Sequence, residues 1–430
     1  MLKQIVHHSA KLVEFLLILR LSLTNPQHCH VLRIVDAAIV CQAQHQTLPA
    51  LYDLIVDATD PSNAADFLRI SPWSVSDIKK PLLDFVVKDL LDLAKSLPIG
   101  TPLFVSIDDS ITAKDKGTTR LEAVDWHYDH TKSTSKKNAF TNGTQHVEVR
   151  IQMGGYAYVF DWALYMRQKK VRRLNRKRPT GKRIPFRSKY RLARAMLVNL
   201  KKRLPAELPV YVLFDSWYAA NKLLNFCRRQ GWHIICALKS NRTLDGIKLS
   251  EWNQRLKHQP YTRVNPAATD RRKRPYLVRT RQGRLKNVSF EVCVLISKRH
   301  RGDKHPKYFL CSDLSLSPQQ ILDFYRKRWP IEVDNYYVKQ RLGLGDFRVQ
   351  GFETAEKWFA LIFLAYIYLQ WRLNHARPDE KFRVIADVMT HHRQEHARQV
   401  LEAACQLAVV CRDISQVFRR FISGWELAPT

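Results

Sequence analysis

The sequence predicts an α/β protein: a mixed sheet flanked by helices, with a β-rich insertion and a helical region at each end. Three observations predict it. Residues 1–98 carry apolar side chains at three- and four-residue spacing with no strand pattern between them. Residues 99–240 alternate short apolar runs with helical segments, and residues 241–316 alternate at period two around turn residues. A chain of 430 residues, 45 % hydrophobic with 14 Gly, has the length and composition for packed cores. Its charge, 71 basic against 39 acidic residues or +32, exceeds what solubility requires and points to a polyanionic partner.

Helical periodicity covers residues 12–23, 31–40 and 78–97. Within this region residues 62–80 read as a short helix, a Ser-Pro-Trp-Ser turn and a longer helix, a pattern open to both a helix-turn-helix and plain helix packing. After Pro98 the pattern changes. A strand over 103–107 ends at Asp108-Asp109-Ser110, and strands 146–153 and 156–165 flank Gly154-Gly155 as an antiparallel pair. A basic helix-bearing segment leads to strand 210–214, which ends at Asp215, and then to a helical stretch 217–229 and strand 233–238. In the insertion, 276–281, a Gln282-Gly283 turn and 288–296 predict a hairpin, followed by strand 308–311. Ser317-Pro318-x-Gln320 is a capping box that opens a long helix, with Pro330 set to bend it. A second helix over 354–374 includes a twelve-residue apolar run, 358–369, too short to cross a bilayer and read as core. A hinge at 377–380 precedes a helical C-terminal region. These readings divide the chain into a helical N-terminal domain (1–98), for which the basic surplus makes DNA binding the expectation, an α/β core (99–240 and 317–375), a β-rich insertion (241–316) and a helical C-terminal region (376–430).

The most informative local pattern is the polar stripe Tyr325, Arg328, Glu332 and Lys339, whose offsets of 3, 7 and 14 residues place all four on one side of a helix. A carboxylate flanked by two cations and a phenol suits a metal-bound phosphate, Glu binding the ion and the others holding phosphate oxygens. A solvated helix face with ordinary ion pairs is the alternative.

Combined with an Asp at the exit of the first strand and another at the exit of the fourth, that Glu completes the arrangement of ribonuclease H-like metal nucleases. The chain resembles bacterial DDE transposases of insertion sequences, specifically the group with Tyr-x2-Arg-x3-Glu-x6-Lys around the last carboxylate, and Tyr325, Arg328, Glu332 and Lys339 match all three spacings. The resemblance covers roughly residues 100–375, and the family inserts a β-rich unit where 241–316 lies. It implies a ribonuclease H-like catalytic core in which Asp109, Asp215 and Glu332 hold two Mg²⁺ ions, or Mn²⁺ in their place, with Asp215 bridging both. The family commonly has Ser or Thr after its first Asp, which selects Asp109 over its neighbour Asp108. Implied too are cleavage at transposon ends, strand transfer into target DNA, a hairpin intermediate in some relatives, and a homodimer in the synaptic complex. Double-stranded DNA, both terminal inverted repeats and target, is the partner expected.

Residues 167–194 hold fourteen Lys or Arg and no acid, Arg172, Arg173, Arg176, Lys177 and Arg178 among them, and predict a loop that orders on DNA. Arg271–Arg274 is a second basic cluster. Lys239, Asn241 and Arg242 follow the strand after Asp215 and are candidates for phosphate contact. Trp252, the one tryptophan of the insertion, is a candidate to stack on an unpaired base, or else core. Scattered cysteines, the lack of a secretory signal and the lack of a membrane span predict a reducing cytosol, which the resemblance makes the bacterial cytoplasm with the nucleoid, and no phosphate-cradling Gly loop implies a nucleotide cofactor. His392-x-x-Glu395-His396 has zinc-ligand spacing but no third ligand nearby in sequence, and His28, Cys29, His30 and Cys41 fit no standard finger. The rival readings are a catalytically inactive transposase-derived DNA-binding protein, a nuclease or resolvase of the same fold without strand transfer, and a basic RNA-binding scaffold.

Overall fold

The computed structural model describes residues 2–134, 137–266 and 274–424. The N-terminal region forms five helices, α1 (Ala10–Leu19), α2 (Asn25–Val40), α3 (Leu48–Tyr52), α4 (Pro61–Arg69) and α5 (Val75–Ala94). Their starts are written locally: Thr24 with Gln27 and Ser74 with Asp77 form capping boxes, and the Asp60 carboxylate caps α4 ahead of Pro61. The turn between α4 and α5 is closed by Trp73, which stacks on Phe67 at 5.0 Å and donates its indole N–H to the Phe67 carbonyl. The buried face of α5 (Ile78, Leu82, Leu83, Val86, Val87 and Leu90) joins the main core, and Lys79 reaches Asp161 at 2.6 Å.

The central sheet contains β1 (Leu103–Ala113), β2 (Asp125–Tyr128), β3 (Phe140–Met153), β4 (Tyr156–Tyr165), then, after α6 (Gln168–Asn175) and α7 (Lys189–Lys201), β5 (Val210–Phe214), α8 (Asn221–Arg229) and β6 (His233–Leu238). Strands β1, β3 and β4 form an antiparallel meander, while β5 pairs parallel to β1 and β6 parallel to β5. The resulting order β4-β3-β1-β5-β6 is a ribonuclease H-like core. Strand β1 runs six residues beyond the predicted end at Ile107, because β3 is long enough to pair with it as far as Ala113 opposite Gly143.

The insertion continues the same sheet. It comprises β7 (Thr243–Leu244), β8 (Ile247–Lys248), α9 (Leu249–Arg255), β9 (Thr262–Val264), β10 (Tyr276–Gly283), β11 (Val292–Lys298) and β12 (Lys307–Cys311). β12 pairs antiparallel with β6, so the order runs β2-β3-β1-β5-β6-β12-β11-β10-β9. The hairpin differs from expectation in its connection: Gln282 and Gly283 stay in β10, and β11 begins only at Val292. Leu285 and Val288 turn into the core instead of continuing the strand, and Asp245 holds the loop by accepting the Arg284 amide at 2.8 Å.

The expected long helix after Ser317 is two short ones, α10 (Pro318–Arg326) and α11 (Pro330–Tyr336), followed by a π-helical turn over Tyr337–Arg341. Pro330 takes the first turn of α11, where its missing N–H costs nothing. α12 (Phe352–Asn374) is buried along most of its length against β4, α2, and α13 (Ile385–Cys411), which α14 (Ile414–Phe421) follows. No helix among the described residues is long and apolar enough to cross a membrane.

A buried ion pair docks α11 on the sheet. Arg150 of β3 donates to Asp334 at 2.7 Å, and Tyr366 of α12 donates to the same carboxylate at 2.6 Å. Removing Asp334 leaves a guanidinium buried without its partner, so Asp334→Ala is expected to cost about 3–5 kcal/mol in urea unfolding. A loss under about 1 kcal/mol would show that this pair does not anchor α11.

Candidate active site

Each residue type found here follows from strand register. Side chains alternate faces along β1, so Asp108 and Asp109 point to opposite sides of the sheet. Ile107 pairs with Phe214, which places Asp108 beside Asp215 one residue further along, on the same face. Helix α11 lies over that face, and Arg328 joins its Glu332 to β1: the guanidinium is 3.1 Å from Asp108 Oδ2 and 3.2 Å from Glu332 Oε1. On this geometry Asp108, and not the expected Asp109, shares a face with Asp215 and Glu332. Asp109 faces α7, where Lys189 Nζ binds it at 2.7 Å and Gln145 donates to it at 2.6 Å. That aspartate is already neutralised by a lysine lying over the Trp217 ring.

The electrostatics distinguish the two positions. Burial pushes the Asp108 carboxyl up to about 8, with Glu332, Asp215 and Asp109 adding to the rise and Arg328 opposing it. Three acids around one guanidinium carry more negative charge than a single cation relieves, and their donors are all oxygen. Such a set fits Mg²⁺ or Mn²⁺ and not a nitrogen- or sulfur-preferring metal. One oxygen of Asp215 accepts the backbone N–H groups of Trp217 (2.9 Å) and Tyr218 (3.2 Å), which orients the carboxylate at the strand exit.

The rest of the polar stripe lies over the same sheet, Tyr325 against β12 and Lys339 against β1. Tyr325 packs on Phe309 with ring centres 4.9 Å apart, and burial pushes its hydroxyl up to about 12. Lys339 donates to Ser110 Oγ at 3.0 Å. The four stripe residues thus stay on one side even though the helix carrying them breaks twice. Sequence reasoning missed Glu148, which sits opposite Asp108 on β3, fully buried, with neither carboxyl oxygen hydrogen-bonded among the described residues. Burial holds its proton on, well above the ordinary carboxyl range. Only the β1–β3 register could have revealed it.

Other candidates are distributed less simply. Lys239 and Asn241 are exposed, and Lys239 lines a small cleft with Tyr190, Trp217 and Arg242 beside Asp215. Arg242 is engaged in structure, donating to the Ala219 carbonyl at 2.5 Å and to Asn221 at 2.6 Å. Trp252 is 8 % exposed and its indole N–H binds the Leu244 carbonyl, a core role. The open indole beside the acids is Trp329, 65 % exposed at the α10–α11 break. The basic segment carries α6 and the start of α7 where a loop was expected. Val171, Ile184 and Leu192 anchor it, and Arg178 is paired with Glu122 and Glu353. Arg172, Arg173, Arg176 and Lys177 remain exposed. Of the second cluster, Arg271, Arg272 and Lys273 lie outside the described residues.

Sheet order and acids together define the class: a ribonuclease H-like core with a three-carboxylate site at the edge of its central strands. Residues 187–368 match the model of the transposase DDE domain family, a stretch that includes Asp215 and Glu332 and begins after Asp108. Among solved structures the chain is similar to a piggyBac transposase synaptic complex with hairpin DNA, at 13 % identity over 95 % of this chain and 79 % of that one, with a TM-score of 0.47. No curated protein matches.

Proposed function

We propose that this chain is a cut-and-paste DNA transposase of the insertion-sequence type, with Asp108, Asp215 and Glu332 as its catalytic acids. The convergence of Asp108 and Glu332 on one guanidinium beside Asp215 carries this reading. When bound, a pair of divalent ions activates the attacking oxygen and neutralises the leaving one. The three acids hold that pair. Arg328 and Lys339 bind the oxygens of the scissile phosphate, Tyr325 orients Arg328, and Trp329 offers an open ring to a base next to the cut. Water cuts one strand at the element's end, the freed 3′-OH attacks the opposite strand to form a hairpin, and the reopened end joins target DNA.

In this reading residues 1–98 bind the terminal repeats, 241–316 form a DNA-facing insertion on the core of 99–240 and 317–375, and 376–430 close the helical end. Two copies synapse two transposon ends in the cytoplasm, at the nucleoid. An assay with Mg²⁺, a labelled end fragment and a supercoiled target tests the proposal. Joined products, lost in Glu332→Gln while DNA binding persists, are expected. Cutting without joining would favour a nuclease of the same fold, and DNA binding with neither step would favour an inactive descendant.

A further inference from the structure

A second cluster of ligating side chains lies away from the acids, between the N-terminal and C-terminal helices. Asp36 of α2 is fully buried, and its Oδ1 lies 2.7 Å from His392 Nε2 and 3.0 Å from His396 Nε2, both on α13. Its Oδ2 lies 2.8 Å from His8 Nδ1 and 3.4 Å from the Ser9 amide. The i,i+4 spacing of the two α13 histidines turns both rings to one face, and the packing of α2 on α13 brings a carboxylate to meet them. Burial opposes the charge on Asp36, while the three imidazoles hold its carboxyl well below the ordinary range. Among the described residues none of the hydrogen bonds to Asp36 comes from a Lys or Arg, so the charge is met by imidazole and amide dipoles alone unless a cation joins them.

We propose that Asp36, His392 and His396 bind a Zn²⁺ ion that clasps the N-terminal helices to α13, with His8 holding the second oxygen of Asp36. An N₂O donor set in a buried site suits zinc, which takes imidazole nitrogen and carboxylate oxygen and completes its tetrahedron with a solvent molecule. The donor atoms of Asp36, His392 and His396 lie within 4.8 Å of one another. A tetrahedral ion with bonds of about 2.0–2.1 Å sets its ligand atoms roughly 3.3 Å apart, so small side-chain adjustments suffice. The other ring nitrogen of His392 is 3.4 Å from the Tyr368 hydroxyl, an outer partner of the kind that orients a metal-bound imidazole. His8, whose side chain is 23 % exposed, supplies the way in. Glu395 is bonded by Ser9 Oγ at 3.2 Å, so the site is not built as a hydrolytic centre with a free base.

The test uses the full chain carrying Glu332→Gln, which disables the carboxylate site, so its outcome is independent of the transposase reading. Elemental analysis after purification without chelator is expected to find one zinc per chain, lost in His396→Ala and in His392→Ala. Should those variants misfold, the parent is stripped by chelation and titrated with Co²⁺. Intense visible bands of a tetrahedral centre and a higher melting temperature on reloading are expected. A chain that purifies without zinc, gives no such bands and melts identically with and without chelator would overturn the proposal.

Discussion

Asp108→Asn is expected to reduce Mg²⁺-dependent DNA cleavage by on the order of 10³-fold or more, since a lost ligand forfeits several kcal/mol of transition-state stabilisation. Asp109→Asn is expected to stay within roughly tenfold of the parent, because its carboxylate already serves Lys189 and Gln145. The reverse ranking in a cleavage assay would return the role to Asp109. The same acid carries a stability signature. Its folded pKa of about 8 lies above the unfolded value near 3.8, so the folded chain keeps a proton that the unfolded chain has released. In chelator, the stability this proton confers is complete below about pH 4, declines as pH rises, and is gone above about pH 8. Asn cannot ionise. Metal-free Asp108→Asn should therefore melt higher than the parent at alkaline pH and level with it in acid, although it cannot cut DNA. Equal melting temperatures at alkaline pH would mean that the acid is not crowded as described.

Affinity for end DNA is expected to fall by about 10³–10⁵-fold between roughly 50 and 200 mM salt, the response of a protein that neutralises six to ten phosphates. Exposed Arg172, Arg173, Arg176 and Lys177 stand in the stretch with no acid of its own. Removing Arg172 and Arg173 together should reduce the slope of log affinity against log salt by about 2, near 0.9 per phosphate contact. Arg178→Ala should act otherwise. Its guanidinium is shared between Glu122 and Glu353, so the change loosens the segment more than it alters the slope. A binding constant insensitive to salt would remove the basic segment from the DNA interface.

Strands β4, β5 and β6 lie at their sequence-derived bounds because hydrophobic runs and turn residues are local information, and the capping box before α10 was equally legible. The Tyr-Arg-Glu-Lys spacing also survives, since residues a few turns apart stay on one side even across a break. The choice between Asp108 and Asp109 was not legible for a specific reason. Residues 103–107 are buried without interruption, as in a strand covered on both faces, so no alternation marked which neighbour faced the helix.

The sequence by itself determined the fold class, the strands that bear the acids, the final Glu with its flanking cations, and the positive charge that calls for a polyanion. All of these rest on periodicity and spacing within short windows. Tertiary structure alone decided which of two adjacent aspartates joins the site, that the insertion extends the central sheet, that the basic segment is held by acids from Glu122 and Glu353, and that His392 and His396 meet Asp36. Those outcomes depend on register and on contacts between residues hundreds of positions apart, and such contacts leave no trace in local spacing because packing, not sequence proximity, brings the groups together.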